Sequence, residues 1–462
     1  MDQMLETIVT HTNIKIEIAK QKYAVQSHTT SNTNIDEIKA LIEIYIISTA
    51  LKDNHLSSDI MFDTNMCGKR YRATMSQKRF DFLTCCLRFD NKATRTERKE
   101  LIAIWEDFID ICRKSYKPSE YVCIYEQLVG FRGKCPFRMY IPNKPNKYGI
   151  KFDMLCDVAT KYMIDAYPYR GKSTDTVGLS LSEFSVINLT KTIHGTHRNV
   201  TMDNWFTSIP LAEKLYKKPY QLTVVGTLRP KPQVPLHFHN KNDKNRQVST
   251  SLFAFSPTNL SLLSYKPKQN KIVLLLSSMH PTMVINETSG KPKEQLILLT
   301  KCVKICVVIG KQNDGHVDIS RECCSTLFGF HEGVTLCSYV PKKNKAVILL
   351  STMHSDAAVN DDNTMDQMVT RYTTQRPTQR WPLAMFFNIL DVGALASYII
   401  YYENNKMIRK KTNQRRIFLR QLGEELAKPF IEESVIGPQA GPSTIPERQA
   451  QPRDSTGRKK IM

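Results

Sequence analysis

A mixed α/β core, preceded by a helical domain, interrupted by a β-rich insertion and followed by further helices, is the architecture this sequence predicts. Three observations predict it. Apolar residues recur at helical spacing in residues 37–116 and again in 364–433. Between 121 and 228 the chain alternates β-branched runs and helical stretches in the order strand, strand, strand, helix, strand, helix, strand. Residues 249–350 are β-rich and contain an internal repeat.

Taken in order, residues 1–36 are polar and rich in Thr and Asn, which predicts a poorly ordered segment. In the helical domain, 37–118, Ile38, Leu41, Ile42 and Tyr45 mark one helix, and Phe80, Leu83 and Leu87 mark another. Ser76 stands just before the second run, where a hydroxyl can cap a helix. The first part of the core, 119–248, opens with strands over Tyr121–Phe131, Gly149–Val158 and Tyr162–Tyr169, each bounded by turn-forming residues. Leu179–Lys191 then reads as a helix, Asn199–Trp205 as a strand, Leu211–Lys217 as a helix and Tyr220–Leu228 as a buried strand.

In the insertion, 249–360, Ser264-Tyr265-Lys266-Pro267 and Ser277-Ser278-Met279-His280 return as Ser338-Tyr339-Val340-Pro341 and Ser351-Thr352-Met353-His354. The offset is a constant 74 residues, from Tyr265 to Tyr339 and from His280 to His354. Two copies are too few for a solenoid. A tandem duplication gives this pattern, and so does a mis-joined gene model. Residues 361–433 read as a helical C-terminal part of the core, and 434–462 as a disordered basic tail rich in Pro, Gln and Ser.

Composition narrows the function. The 462 residues carry 65 Lys+Arg against 44 Asp+Glu, a formal net charge of +21. Such a balance points to a polyanion, with nucleic acid first and an acidic membrane surface second. Met1–Lys20 mixes charged and polar residues and has no apolar stretch of the secretory kind. The 12 cysteines follow no ligand spacing, and no CxxC pair occurs, which predicts free thiols in a reducing compartment rather than a zinc site. Phe386–Tyr402 is apolar enough to resemble a membrane span, but it is short and holds Asp391, so a buried core helix is expected and no membrane. His194, His197, His237 and His239 have no Cys or acidic partner at ligand spacing. No GxSxG elbow and no Walker-type phosphate loop are present, which argues against serine hydrolase and NTPase chemistry and leaves no small-molecule substrate in view.

Two basic stretches fit a nucleic-acid partner. Arg132, Lys134, Arg138, Lys144, Lys147 and Lys151 lie without an acid among Phe131, Phe137, Tyr140 and Tyr148. Cations can neutralise phosphates there while aromatic rings stack on unpaired bases. Lys406–Arg420 adds Arg409, Lys410, Lys411, Arg415 and Arg416, again without an acid, as a nuclear-localisation or phosphate-binding element.

Three ordered blocks carry a more specific signal. They are the stretch 124–151, IYEQLVGFRGKCPFRMYIPNKPNKYGIK, the stretch 201–210, TMDNWFTSIP, and the stretch 378–402, TQRWPLAMFFNILDVGALASYIIYY. Together they resemble piggyBac-type DDE transposases across most of residues 37–430. The resemblance implies an RNase H-like core, a nuclear location, dimers by analogy, and cut-and-paste chemistry on DNA at TTAA sites. It also implies two Mg²⁺ ions held by aspartates, because hard cations need carboxylate oxygens to offset their charge.

Mapped onto this chain, the family's second aspartate is Asp203. The first falls on Tyr125, a phenol that stays neutral near pH 7. Glu126 beside it faces the other side of a strand. Alignment on Asp366-Gln367-Met368 puts Asn363 at the third position and Asp366 at an additional acidic one; a slipped register would bring Asp362 in. The expectation is therefore a degenerate transposase that binds DNA, retains no catalytic metal and has lost cleavage, with Asp203 and Asp366 as the only remaining metal ligands. The alternatives are a residual nuclease using Asp203, Asp366 and Asp362, and a relic or protein-interaction module.

Overall fold

The computed structural model describes residues 2–282 apart from 26, 95–102, 143, 145, 172–175, 231, 244, 249 and 281. It also describes the backbone of 326–331, 334–342 and 345–351, and residues 365–436 apart from 406–412, with backbone alone from 434.

The chain begins with a helix rather than a disordered arm. α1 (Asp2–Lys20) buries Leu5, Ile8, Thr12 and Ile16. Their three- and four-residue spacing is a narrow stripe that the surrounding polar composition conceals. α1 packs on α2 (Ile35–Leu51), which starts where Asn34 Oδ1 accepts the Glu37 N–H at 2.8 Å. Short helices α3 (Ser58–Met61) and α4 (Gly68–Thr74) lead to α5 (Gln77–Cys86). The Ser76 hydroxyl caps α5 by accepting the Arg79 N–H, as its position in the sequence predicts. Arg79 then fixes the preceding segment. Its guanidinium grips buried Glu37 at 2.7 and 2.6 Å and donates to the carbonyls of Thr29, Ser31 and Asn32. α6 (Ile104–Ser115) lays Trp105 on Phe152 of the sheet, ring centroids 5.0 Å apart.

The core sheet has nine strands: β1 (Tyr121–Gly130), β2 (Met139–Tyr140), β3 (Tyr148–Asp157), β4 (Met163–Pro168), β5 (Asn199–Met202), β6 (Thr223–Thr227), β7 (Thr250–Phe255), β8 (Ser261–Lys268) and β9 (Lys271–Ser277). Their order is β2-β3-β1-β5-β6-β9-β8-β7, with β4 also on β3. β1, β5 and β6 run parallel, and β3 and β9 flank them antiparallel. The crossovers carry α7 (Leu181–Leu189) and α8 (Ile209–Tyr216). Serine caps start both, with Ser180 accepting from Glu183 N and Ser208 from Leu211 N.

In the β-rich insertion the first copy of the repeat joins the core sheet. β7, β8 and β9 extend the core sheet, because β9 pairs directly with β6. One-turn helix α9 (Leu236–His239) carries the HFH motif and buries Phe238 against this extension. Only the second copy stands apart, as a three-stranded sheet of β10 (Thr326–His331), β11 (Val334–Lys342) and β12 (Lys345–Ser351).

The C-terminal helices are α10 (Met365–Arg371), α11 (Trp381–Asn404) and α12 (Gln414–Ile436). α11 contains the Phe386–Tyr402 stretch and is the one helix among the described residues long and apolar enough to cross a membrane; 72 % of its apolar window is buried inside the fold. Asp391 explains the polar interruption. Its carboxylate accepts Thr373 Oγ1 at 2.6 Å, and Thr374 N and Oγ1 at 2.6 and 2.7 Å, tying the incoming loop to the helix. α12 packs along α2, where a Cβ added to Gly423 would lie 2.7 Å from Ile47 Cγ1. One apolar core therefore joins the N-terminal helices, the sheet and α11.

Candidate functional site

Parallel pairing of β1 with β5 sets the site. The last paired position is Ile124 with Met202, so the next residues, Tyr125 within β1 and Asp203 just past the end of β5, come level. This is the place where open α/β sheets gather functional groups.

Asp203 sits in a tight turn. Its Oδ1 accepts the N–H groups of Trp205 at 2.8 Å and Phe206 at 3.3 Å, and its carbonyl accepts Thr207 Oγ1 at 2.7 Å. Burial raises its pKa; the two backbone donors and Lys151 oppose that, while Glu126 adds to it. Gly226 on β6 makes room for the turn, since a Cβ there would meet Thr207 Oγ1 at 2.2 Å and the Met202 carbonyl at 3.0 Å. No sequence signal marked Gly226, because the contact that requires it is made across the sheet.

Tyr125 faces the opposite way from Glu126. It pairs with Met154 on β3, and its buried hydroxyl has no nitrogen or oxygen partner. The Cys156 thiol beside it is a poor partner. Burial first, then the Cys156 and Cys123 thiols and the Asp366 carboxyl, push its ionisation well above that of an ordinary phenol. Helix α10 thus brings Asp366 into the field of Tyr125. Asn363 and Asp362 lie outside the described residues.

On the other face Glu126 pairs with Asp153 across β1 and β3. Lys151 lies between them. Its Nζ is 2.7 Å from Glu126 Oε1, 3.2 Å from Asp153 Oδ1 and 4.2 Å from the Trp205 ring centre. Ser185 on α7 donates to Asp153 Oδ2 at 3.0 Å. The Lys151 side chain is only 7 % exposed. Burial works against its charge, but Asp153 and Glu126 outweigh it and raise its pKa. The expectation that Lys151 contacts nucleic acid is thus corrected: the ammonium is spent on two carboxylates and on Trp205. A strand position opposite acidic neighbours was legible only after β1 and β3 were paired.

The donor set does not fit a pair of divalent cations. Tyr125 offers a buried neutral phenol, Glu126 is neutralised by Lys151, and Asp203 Oδ1 is occupied by backbone N–H groups. Among the described residues no three His, Cys, Asp or Glu side chains converge on one point.

The first basic stretch divides in two. Arg132, Lys134 and Arg138 are exposed and line an open cavity of about 530 Å³ with Gly133, Cys135, Pro136 and Gln379. Arg138 Nη1 donates to the carbonyls of Arg132 at 2.7 Å and Gly133 at 3.0 Å, and its Cζ lies 5.4 Å over the Tyr148 ring. Tyr148 packs on Tyr140 with ring centroids 4.8 Å apart and the planes tilted by 41°, and the two rings are 44 % and 54 % exposed. Lys147 is also exposed, whereas half-buried Lys144 donates to the Glu126 carbonyl at 2.9 Å.

In the second stretch, Arg409, Lys410 and Lys411 lie outside the described residues. Arg415 is buried and stacks at 4.9 Å on Tyr372, and Arg416 Nε donates to the Ala50 carbonyl. These two were expected at a nucleic-acid surface, but they tie α12 to α10 and α2. Of the histidines, His194 is structural: Nε2 lies 3.1 Å from Thr190 Oγ1, and its ring packs edge-on against Tyr220.

Comparison with known proteins agrees with this arrangement. The family described as Transposase IS4 matches over residues 1–302. A cryo-EM structure of the piggyBac transposase synaptic complex with hairpin DNA superposes with a TM-score of 0.76 and 36 % sequence identity, covering 99 % of this chain and 85 % of that one. The chain belongs to the piggyBac-type transposase family. Its core is accordingly the RNase H-like DDE fold, with helical parts on both sides. DDE transposases generally use divalent metal ions.

Proposed function

We propose that this member of the piggyBac family is a DNA-binding protein that has lost cleavage and strand transfer. Tyr125 carries the reading. It stands level with Asp203 where the family pattern expects a carboxylate, and its buried hydroxyl lies near the Cys156 and Cys123 thiols. A neutral phenol cannot offset the charge of two hard cations.

Binding rests on the exposed Arg132, Lys134 and Arg138 cluster beside the exposed, tilted Tyr140–Tyr148 pair. Cations of this kind contact phosphates, and exposed rings stack on bases. The related transposase is held in a complex with hairpin DNA, and the net charge of +21 suits the same partner. A nuclear location and a homodimer belong to the same proposal.

Fluorescence anisotropy with TTAA-containing and scrambled duplexes across a salt series tests binding. The expected result is salt-dependent affinity that Asp203→Ala leaves unchanged. No binding at low salt overturns it and leaves a relic or a protein-interaction module. A nicking assay in Mg²⁺ or Mn²⁺ tests the loss of chemistry. One observation favours the alternative of residual cleavage, namely Asp366 close enough to act on Tyr125. Metal-dependent nicking abolished by Asp203→Ala would establish that alternative, with Asp362 as the third candidate ligand.

A further inference from the structure

The 74-residue repeat is also a structural repeat. In the first copy Leu252 pairs with Ser264, Leu263 with Leu275, and Tyr265 with Val273. In the second copy Leu327 pairs with Ser338, Cys337 with Leu349, and Tyr339 with Val347. Both meanders shift register in the same place, between Tyr265 and Lys268 and between Tyr339 and Lys342. The two copies thus have one topology, one register and one bulge.

They differ in what lies at their third strand. In the first copy the outer edge of β9 completes the core sheet: Val225 pairs with Ser277, Gly226 with Leu276 and Thr227 with Leu275. The Ser278 hydroxyl accepts the Val224 N–H at 2.8 Å, which extends the join. In the second copy the equivalent residues are Leu349, Leu350, Ser351 and Thr352, so every residue type that meets β6 is repeated, with a hydroxyl again at the last position. Among the described residues β12 ends its sheet with no strand on that edge. An unpaired edge is a template for another strand, and this one repeats an edge whose partner is already known.

We propose that β12 is a second partner for β6, so that the two meanders exchange at one position in the core sheet within a single chain. Two features set the balance toward β9. The connection from β6 to β12 is roughly 2.7 times as long as that to β9, which disfavours closure by about fourfold. The first copy also has a latch. Buried Lys266 donates to the carbonyls of Asp243 at 2.8 Å and Arg246 at 2.7 Å, while Arg246 donates to the Ser264 hydroxyl at 2.8 Å and its carbonyl at 2.6 Å. The second copy has Val340 in place of Lys266 and cannot make the lysine half of that latch. The exchange bears on the site, because Gly226, the residue that pairs with Leu276, is also the one that gives the Asp203 turn its space.

Cysteine trapping in the full chain tests this. The Leu228 N–H to Leu274 carbonyl bond and the Ser278 N–H to Val224 carbonyl bond leave Thr227 and Leu275 as a non-hydrogen-bonded pair, where antiparallel Cβ atoms come closest. Thr227→Cys with Leu275→Cys is the positive control and verifies folding. Thr227→Cys with Leu349→Cys reports exchange, and Thr227→Cys with Val347→Cys is the out-of-register control. Linked peptides are identified by mass spectrometry after mild oxidation. The expected result is an intrachain link to position 349 well above that to 347, rising several-fold when Lys266→Val removes the latch. A link to 349 no stronger than that to 347, with and without Lys266→Val, overturns the proposal. A link found only between chains, as a covalent dimer, overturns it as well.

Discussion

Replacing Lys151 by Met gives the sharpest test of how the site is held together. The ammonium is buried, with Glu126 at 2.7 Å and Asp153 at 3.2 Å. Met keeps most of the stem's volume and removes the charge, so two carboxylates remain in a low-dielectric setting beside Asp203. Breaking a buried pair from one side costs about 3–5 kcal/mol, because the surviving charge is uncompensated. Asp153 suffers most, since it is 1 % exposed and keeps only the Ser185 hydroxyl. The sign with pH follows. Burial already raises the folded pKa of Asp153 against the pull of Lys151, and without Lys151 it rises further. The folded state then binds more protons, so the variant's stability falls as pH rises. Urea unfolding followed by tryptophan fluorescence, with Trp205 4.2 Å from the ammonium as a local reporter, should show the full loss at pH 8 and a smaller one at pH 5.5. Adding Glu126→Gln and Asp153→Asn to Lys151→Met should recover most of the stability, because no buried charge is left. A loss under about 1 kcal/mol, set against the expected range, or a triple variant no better than the single one, would refute the reasoning.

Four further outcomes are expected. Gly226→Ala should destabilise by about 1–3 kcal/mol in chemical denaturation through overpacking, and Thr207→Ala in the same chain should relieve part of the loss, since Thr207 Oγ1 is the atom struck. Asp391 has its pKa raised to about 7 by burial, against the pull of Thr373 and Thr374, so its contribution makes the folded state lose stability as pH climbs from about 4 to about 7; Asp391→Asn should flatten that part of the stability profile. Tyr125→Asp should lower the melting temperature in chelator by burying a carboxylate, and only with Asn363→Asp should Mn²⁺ restore it, as read by thermal shift and metal titration. Arg132→Ala with Lys134→Ala should reduce the slope of log affinity against log salt by about 2, near 0.9 per phosphate contact, when anisotropy is measured on a duplex.

The order of elements and the family could be read from the amino-acid sequence. Strand runs, serine caps and the long motif blocks are local or linear signals, and neighbouring residues suffice to set them. Ser76, the strand starting at Tyr121 and the buried α11 were legible for that reason. The motif blocks also singled out Tyr125 and Asp203 as the positions on which the proposed loss of cleavage turns, because the motif spacing is linear too. The sparse apolar stripe of α1 was a weaker linear signal, hidden by the polar residues around it.

Which basic side chains face solvent and which are held inside the fold emerged only with the chain folded. Lys151, Arg415 and Arg416 look like Arg132 and Lys134 in the sequence, yet the first three are turned inward onto carboxylates, rings and carbonyls. The sequence could not show this because burial depends on which strand or helix lies opposite, and β1 with β3, or α2 with α12, meet only on folding. The same holds for the insertion: its duplication can be read by eye, but which copy completes the core sheet depends on a single edge of β6 that one strand occupies at a time.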